Sequence, residues 1–220
     1  MACNPLLKEA IEGINSSKSL WEKQLASAGL SREEIEAELA NAGGPPPDII
    51  AEWMSSSSKI VHSYINNKPN KEMEKFFSTT PKFPFKGITN RVGIISKDLN
   101  LQPGQYVKTR FPLATSPDSR DLDTFSIISR ERLKDLPNKK QVTFNIYIQN
   151  SPQYNISKYN IAEREVLIKP NSIFKVVESL DGTIKLVDIP KGVNPPYAIP
   201  LLSIGGALSI GSQNKFLGSE

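Results

Sequence analysis

The chain has 220 residues, 38% of them hydrophobic, with 17 prolines and a formal net charge of +4. That length supports one good core, or one core with a small helical appendage, and the prolines suit a loop-rich domain. A single cysteine, Cys3, and a single histidine, His62, exclude an internal disulfide and a Cys/His zinc site and offer no histidine–aspartate pair for a serine triad.

The lysines are scattered, and no Lys/Arg block interleaved with aromatics marks a nucleic-acid surface. The mild basic excess suits acidic partner surfaces instead. Met1-Ala2-Cys3-Asn4-Pro5 lacks the charged start and apolar run of a classical signal peptide. No stretch reaches the roughly 18–20 apolar residues that a membrane span requires.

In chain order, the spacing of apolar residues predicts helices over 5–14 and 17–28, with Leu20, Trp21 and Leu25 on one stripe. Ser31-Arg32-Glu33-Glu34 reads as a capping box, so a helix starts at Arg32, runs through Ile35 and Leu39 and stops at Gly43-Gly44. Pro45-Pro46-Pro47 is a stiff break and a candidate domain boundary. Asp48 then caps a helix holding Ile49, Ile50, Trp53, Ile60, Val61 and Ile65, weakened in its middle by the serines of 55–58. Asn66–Pro69 ends it, and a short helix over 70–77 follows.

From Phe83 the pattern changes to strands, expected over 87–95, 105–114, 141–149, 164–168, 172–179 and 183–188. Gln102-Pro103-Gly104-Gln105 is a turn signal, and Asp181-Gly182 marks a tight hairpin. Short helices are expected over 119–126 and 129–135. Helices first and strands later predict an α+β fold rather than a doubly wound sheet. Without a G-x-G-x-x-G loop or a Walker lysine, a Rossmann or P-loop nucleotide site is excluded. The segment 197–211 is apolar but too short and too rich in Pro, Gly and Ser for a spanning helix; it reads as a tail that packs or stays loose, with membrane contact the lesser alternative.

Glu163 and Glu165 stand two residues apart at the mouth of the apolar run Val166-Leu167-Ile168. On a strand, positions i and i+2 share a face, so both carboxylates would enter one cleft while Arg164 points away. Two like charges held that close repel, and burial disfavours the ionised form, so a reaction or a ligand accounts for the pair better than packing does.

These residues resemble a motif of the mono-ADP-ribosyltransferases. That motif runs from an isoleucine through a short polar loop with an aromatic into Glu-x-Glu-Val-Leu-Leu/Ile, a proline-containing turn and a Phe-x-Val strand. Here Ile156-Ser157-Lys158-Tyr159 leads to Glu163-Arg164-Glu165-Val166-Leu167-Ile168, then Lys169-Pro170-Asn171-Ser172 and Ile173-Phe174-Lys175-Val176. A second family motif, a strand ending in Ser-Thr-Ser, is matched by Ala114-Thr115-Ser116, with alanine for the first serine. For the family's early arginine there are two candidates: Arg91, which lacks the preceding aromatic, and Lys86, which follows Phe85 and precedes Gly87 but lacks the planar fork of a guanidinium. The motifs run in the family's order across roughly residues 76–190.

The resemblance implies a mixed two-sheet NAD-binding core after an N-terminal helical region. The expected division is 1–45 (helical, for delivery or partner binding), 46–190 (an ADP-ribosyltransferase-like domain with a helical lobe over 46–80 and a strand-rich core over 81–190) and 191–220 (an apolar tail). It implies NAD as co-substrate without a metal, and a protein acceptor, with arginine the acceptor that goes with Glu-x-Glu. By resemblance Glu165 stabilises the charged ribose and Glu163 orients or deprotonates the acceptor. Ala114, Thr115, Ser116 and Arg91 or Lys86 line the NAD site, and Tyr154 and Tyr159 lie in the loop that meets the target. It further implies a secreted toxin or an effector translocated into the cytosol of another cell. An inactive relative that binds a partner through the same cleft, and an NAD glycohydrolase, are the alternatives.

Overall fold

A computed structural model of the chain describes residues 22–23, 25–26, 29–40, 44–117, 121–157, 159, 165–190 and 192–201. The helices expected over 5–14 and 17–28 fall wholly or mostly outside those residues.

The first complete helix, α1, spans Arg32–Ala40. Its capping box is formed: the Glu34 N–H donates to Ser31 Oγ at 3.2 Å, and the Ser31 N–H donates to Glu34 Oε2 at 2.8 Å. Helix α2 spans Asp48–Ile65, with Pro47 at the cap position and Asp48 already inside, where its charge suits the positive end of the helix. The serine run does more than weaken it. Ser56 leaves helical geometry (φ −156°, ψ 55°) and kinks the helix. Helix α3, Lys71–Thr79, is capped by Asn70, whose Oδ1 accepts from the Met73 N–H at 3.0 Å.

Among the described residues nine strands follow, arranged in two sheets. The larger has the order β1 (Gly87–Ser96), β4 (Lys139–Ile148), β8 (Thr183–Asp188), β7 (Ile173–Leu180), β2 (Tyr106–Thr109) and β9 (Ile199–Leu201). It is mixed, with β4–β8 and β2–β9 parallel and the other pairs antiparallel. The smaller has the order β3 (Leu113–Thr115), β6 (Val166–Ile168), β5 (Gln153–Asn155) and is antiparallel throughout. The hairpin between β7 and β8 turns at Asp181 (φ 48°) and Gly182 (φ 77°), the pair of positive φ values that a two-residue turn needs.

The α+β class holds, and three local expectations change. The single strand expected over 105–114 is two strands in different sheets. Arg110-Phe111-Pro112 carries the chain from one sheet to the other, and Pro112 has no N–H to continue a ladder. The two short helices expected over 119–126 and 129–135 are one helix, α4, Asp121–Leu133, because no Gly or Pro interrupts it. It lies on β1 and β4. Strands β5 and β9 were not expected at all.

The small sheet is the middle layer. Leu113 and Ile168 face the large sheet, joining Val107, Phe144, Ile146, Phe174, Val176 and Leu186 in one buried cluster. The alternate residues Ala114, Leu167 and Tyr154 face the helices, packing with Ile50, Trp53 and Ile60 of α2 and Phe76 and Phe77 of α3. This explains why β6 reads as an unbroken apolar run: it is buried on both faces. A third cluster joins Leu25, Leu30 and Ile35 to Phe83, Phe85 and Val166, so part of the N-terminal region packs beside the start of β6. Each of these fully buried apolar side chains contributes roughly 1.5–3 kcal/mol, which makes the middle layer a stiff platform.

Candidate functional site

The two sheets are joined where Asn90 meets Ser116. The Asn90 N–H donates to the Ser116 carbonyl at 2.7 Å, and the Ser116 N–H returns to the Asn90 carbonyl at 2.8 Å. The Asn90 amide adds a bond to the same Ser116 carbonyl at 3.3 Å. Here β1 of the large sheet meets the end of β3 of the small one. A concavity opens at this seam, lined by Asn90, Arg91 and Val92 of β1, Ala114, Thr115 and Ser116, Phe125 of α4, and Glu165.

Glu165 stands one residue before β6, not within the strand expected over 164–168, because ladder pairing with β3 and β5 begins at Val166. Its carbonyl accepts from the Ile156 N–H at 3.1 Å. Its side chain is 8% exposed, and Oε1 accepts a 2.8 Å hydrogen bond from Nε1 of Trp53, a residue of α2 that is itself 2% exposed. A hydrogen bond to a charged acceptor in so dry a place is among the stronger ones a protein makes.

Arg91 is 5% exposed and donates from Nη1 to the Ala114 carbonyl at 2.7 Å. Burial pulls its pKa down to about 10, and the negative charge of Glu165 works against that shift. At neutral pH the guanidinium is therefore charged, and it faces the same concavity as Glu165. The Thr115 hydroxyl donates to the Val166 carbonyl at 3.0 Å, tying the end of β3 to the start of β6. Ser116 is buried at the seam.

The other candidates are placed differently. Glu163 lies outside the described residues. Lys86 is exposed in the segment before β1 and does not line the concavity. Tyr154, expected in a target-facing loop, is on β5 with its ring in the core, 4.9 Å from the ring of Phe77 and 5.9 Å from that of Phe76. Its hydroxyl donates to the Phe77 carbonyl at 2.8 Å, so this side chain is packed away from any partner surface. Tyr159 is half-buried against the helical cluster, and its N–H donates to the Ile156 carbonyl at 3.0 Å.

Sequence reasoning took Trp53 for an apolar core residue and gave Asn90 no role. The missed signal at Trp53 was chemical: a buried tryptophan, unlike a leucine, carries an N–H that needs an acceptor. Among the described residues no cluster of three His, Cys, Asp or Glu side chains could hold a metal ion, and no helix is long and apolar enough to cross a membrane.

No family model matches the sequence, and no curated protein matches it. Solved structures do. The ADP-ribosyltransferase Vis in complex with agmatine aligns over 90% of this chain and 94% of its own, with a TM-score of 0.52 and 18% identity. The Vis toxin, an ADP-ribosyltransferase from Vibrio splendidus, aligns over 86% of this chain and 89% of its own, with a TM-score of 0.50 and 18% identity.

The chain has the ADP-ribosyltransferase fold. Within that ADP-ribosyltransferase fold, the seam between the two sheets is where this chain brings a buried carboxylate and a buried guanidinium to one concavity.

Proposed function

We propose that the chain is a mono-ADP-ribosyltransferase that moves ADP-ribose from NAD to a protein side chain, an arginine, and releases nicotinamide. One observation carries the reading: Glu165, held by Trp53, shares a concavity with the charged Arg91 at the seam of this fold. The agmatine complex of Vis supports the choice of acceptor, since agmatine carries the guanidino group of arginine.

The chemistry follows from the charges. Breaking the bond between nicotinamide and ribose sends its electron pair to the pyridine nitrogen and leaves positive charge on the anomeric carbon, as in glycoside cleavage. The Glu165 carboxylate beside the ribose stabilises that charge, and a preorganised carboxylate in a dry site does so without reorganisation at the moment of reaction. Arg91 offers a planar cation to the phosphates of NAD. Ser116, Thr115 and Ala114 form the floor on which the nicotinamide end rests. The acceptor nitrogen attacks the anomeric carbon, and its proton passes to Glu163. Tyr159 contributes to the target-facing side. The enzyme acts as a toxin or effector delivered into another cell.

The test is incubation with labelled NAD and agmatine, then with a eukaryotic lysate, beside Glu165→Gln. Labelled agmatine and a labelled protein band, both lost in the variant, are the expected result. Nicotinamide and free ADP-ribose alone would replace the reading with a glycohydrolase. No turnover of NAD by the native chain would overturn it.

A further inference from the structure

We propose that Trp53 is a positioning residue for the catalytic carboxylate: its indole N–H holds Glu165 Oε1 and so fixes the rotamer in which Glu165 meets the ribose. The inference rests on the transferase reading of Glu165.

Glu165 precedes its strand, so ladder pairing does not by itself dictate where its side chain goes. Ala114 has no hydroxyl, and the Thr115 proton is on the Val166 carbonyl. One donor that reaches Oε1 comes from another layer of the molecule, 112 positions away in sequence. Trp53 is well placed for this because it is buried: its indole is packed in the cluster that includes Ile50, Ile60, Ala114 and Leu167. The kink at Ser56, three residues on, separates the turn that carries Trp53 from the turns that carry Ile60 and Tyr64. The orientation of the indole is thus set by packing on the small sheet rather than by the whole length of the helix. A phenylalanine would fill most of the same space, so what the indole adds is the N–H. Arg91 is the charged group that shares the concavity with the carboxylate, and it is held through Ala114 whatever occupies position 53.

The test compares the native chain with Trp53→Phe and Glu165→Gln in three measurements: kinetics with NAD and agmatine, thermal unfolding, and the indole proton resonance of Trp53. Trp53→Phe is expected to keep its KM for NAD within about threefold while kcat falls about 10- to 100-fold, the scale of a misplacement of about 1 Å at the reacting centre. In Glu165→Gln the Trp53 indole proton is expected to move upfield, since a neutral acceptor replaces a charged one. The resonance is identified by its disappearance in Trp53→Phe, which leaves Trp21 as the other tryptophan. An unchanged kcat in Trp53→Phe overturns the proposal, as does a loss confined to KM and thermal stability. An indole resonance indifferent to Glu165→Gln also overturns it, and that measurement needs no turnover. Failure of the native chain to turn over NAD is a separate result, which sinks the transferase reading.

Discussion

The guanidinium of Arg91 donates to the carbonyl of Ala114 at 2.7 Å, and this single bond crosses from the large sheet to the small one. The residue that supplies positive charge to the site is therefore also a structural tie. Arg91→Lys keeps the charge and loses the planar fork. The KM for NAD should rise about tenfold, equivalent to about 1.4 kcal/mol. Stability should fall by about 1–3 kcal/mol as the tie weakens. Steady-state kinetics and urea unfolding of the same preparation check both.

Glu165→Gln leaves the shape of the site nearly intact, because the glutamine Oε1 still accepts from Trp53. It removes the charge proposed to face the ribose and the charge that supports Arg91. NAD turnover should drop by at least about 10²–10³, the cost of losing one preorganised stabiliser of transition-state charge. NAD binding measured by calorimetry should survive. Retained turnover would mean another group faces the anomeric carbon.

Tyr154→Phe separates packing from recognition. The hydroxyl lost is the one on the Phe77 carbonyl, far from any exposed surface. Stability should fall by about 1–3 kcal/mol, because a buried carbonyl loses its donor. Both kcat and KM for the protein acceptor should stay within about twofold, the margin of ordinary assays. A change confined to the acceptor KM would restore Tyr154 to the recognition surface.

Tyr64 donates to Glu74 Oε1 at 2.5 Å, linking α2 to α3. Burial, reinforced by that carboxylate, raises its pKa above the ordinary 10.0. For a phenol raised on folding, the stabilisation is whole below pH 10 and is lost as the pH climbs above it, where the unfolded chain ionises first. Arg91, its pKa lowered by burial, works in the opposite sense above about pH 10, since its folded form releases its proton first. Tyr64→Phe cancels only the first effect. Above pH 10 the native chain should lose stability more steeply than the variant, as read by unfolding at fixed temperature.

Much of the large sheet was legible because its strands alternate. Val142, Phe144, Ile146 and Ile148 point inward at every second position, and the Asp181-Gly182 turn fixes the next pair. The run Val166-Leu167-Ile168 announced an apolar strand, and the pair of carboxylates at its mouth drew attention to Glu165. The split of residues 105–114 was not legible, since a strand that changes sheets keeps its apolar content and shows only a proline. Strand β5 was hidden for a different reason: Gln153 and Asn155 are polar yet buried, and their bonds are tertiary. Gln153 donates to the Phe85 carbonyl at 3.0 Å, and Asn155 donates to Glu38. Trp53 shows the general limit. Helical periodicity tells which face a residue is on but not which atom waits 112 positions away to receive its proton.

The last strand of the large sheet, Ile199–Leu201, has a proline at its centre, paired in register with Lys108 of β2. Pro200 has no N–H, so the outer rim of β9 cannot offer a full row of donors to a further strand. Without β9, the edge of β2 would stand open along Val107, Lys108 and Thr109, a template on which neighbouring molecules could stack. The three residues thus act as a stopper against self-association, and a chain ended before residue 199 should clump on refolding under conditions that leave the longer chain monodisperse.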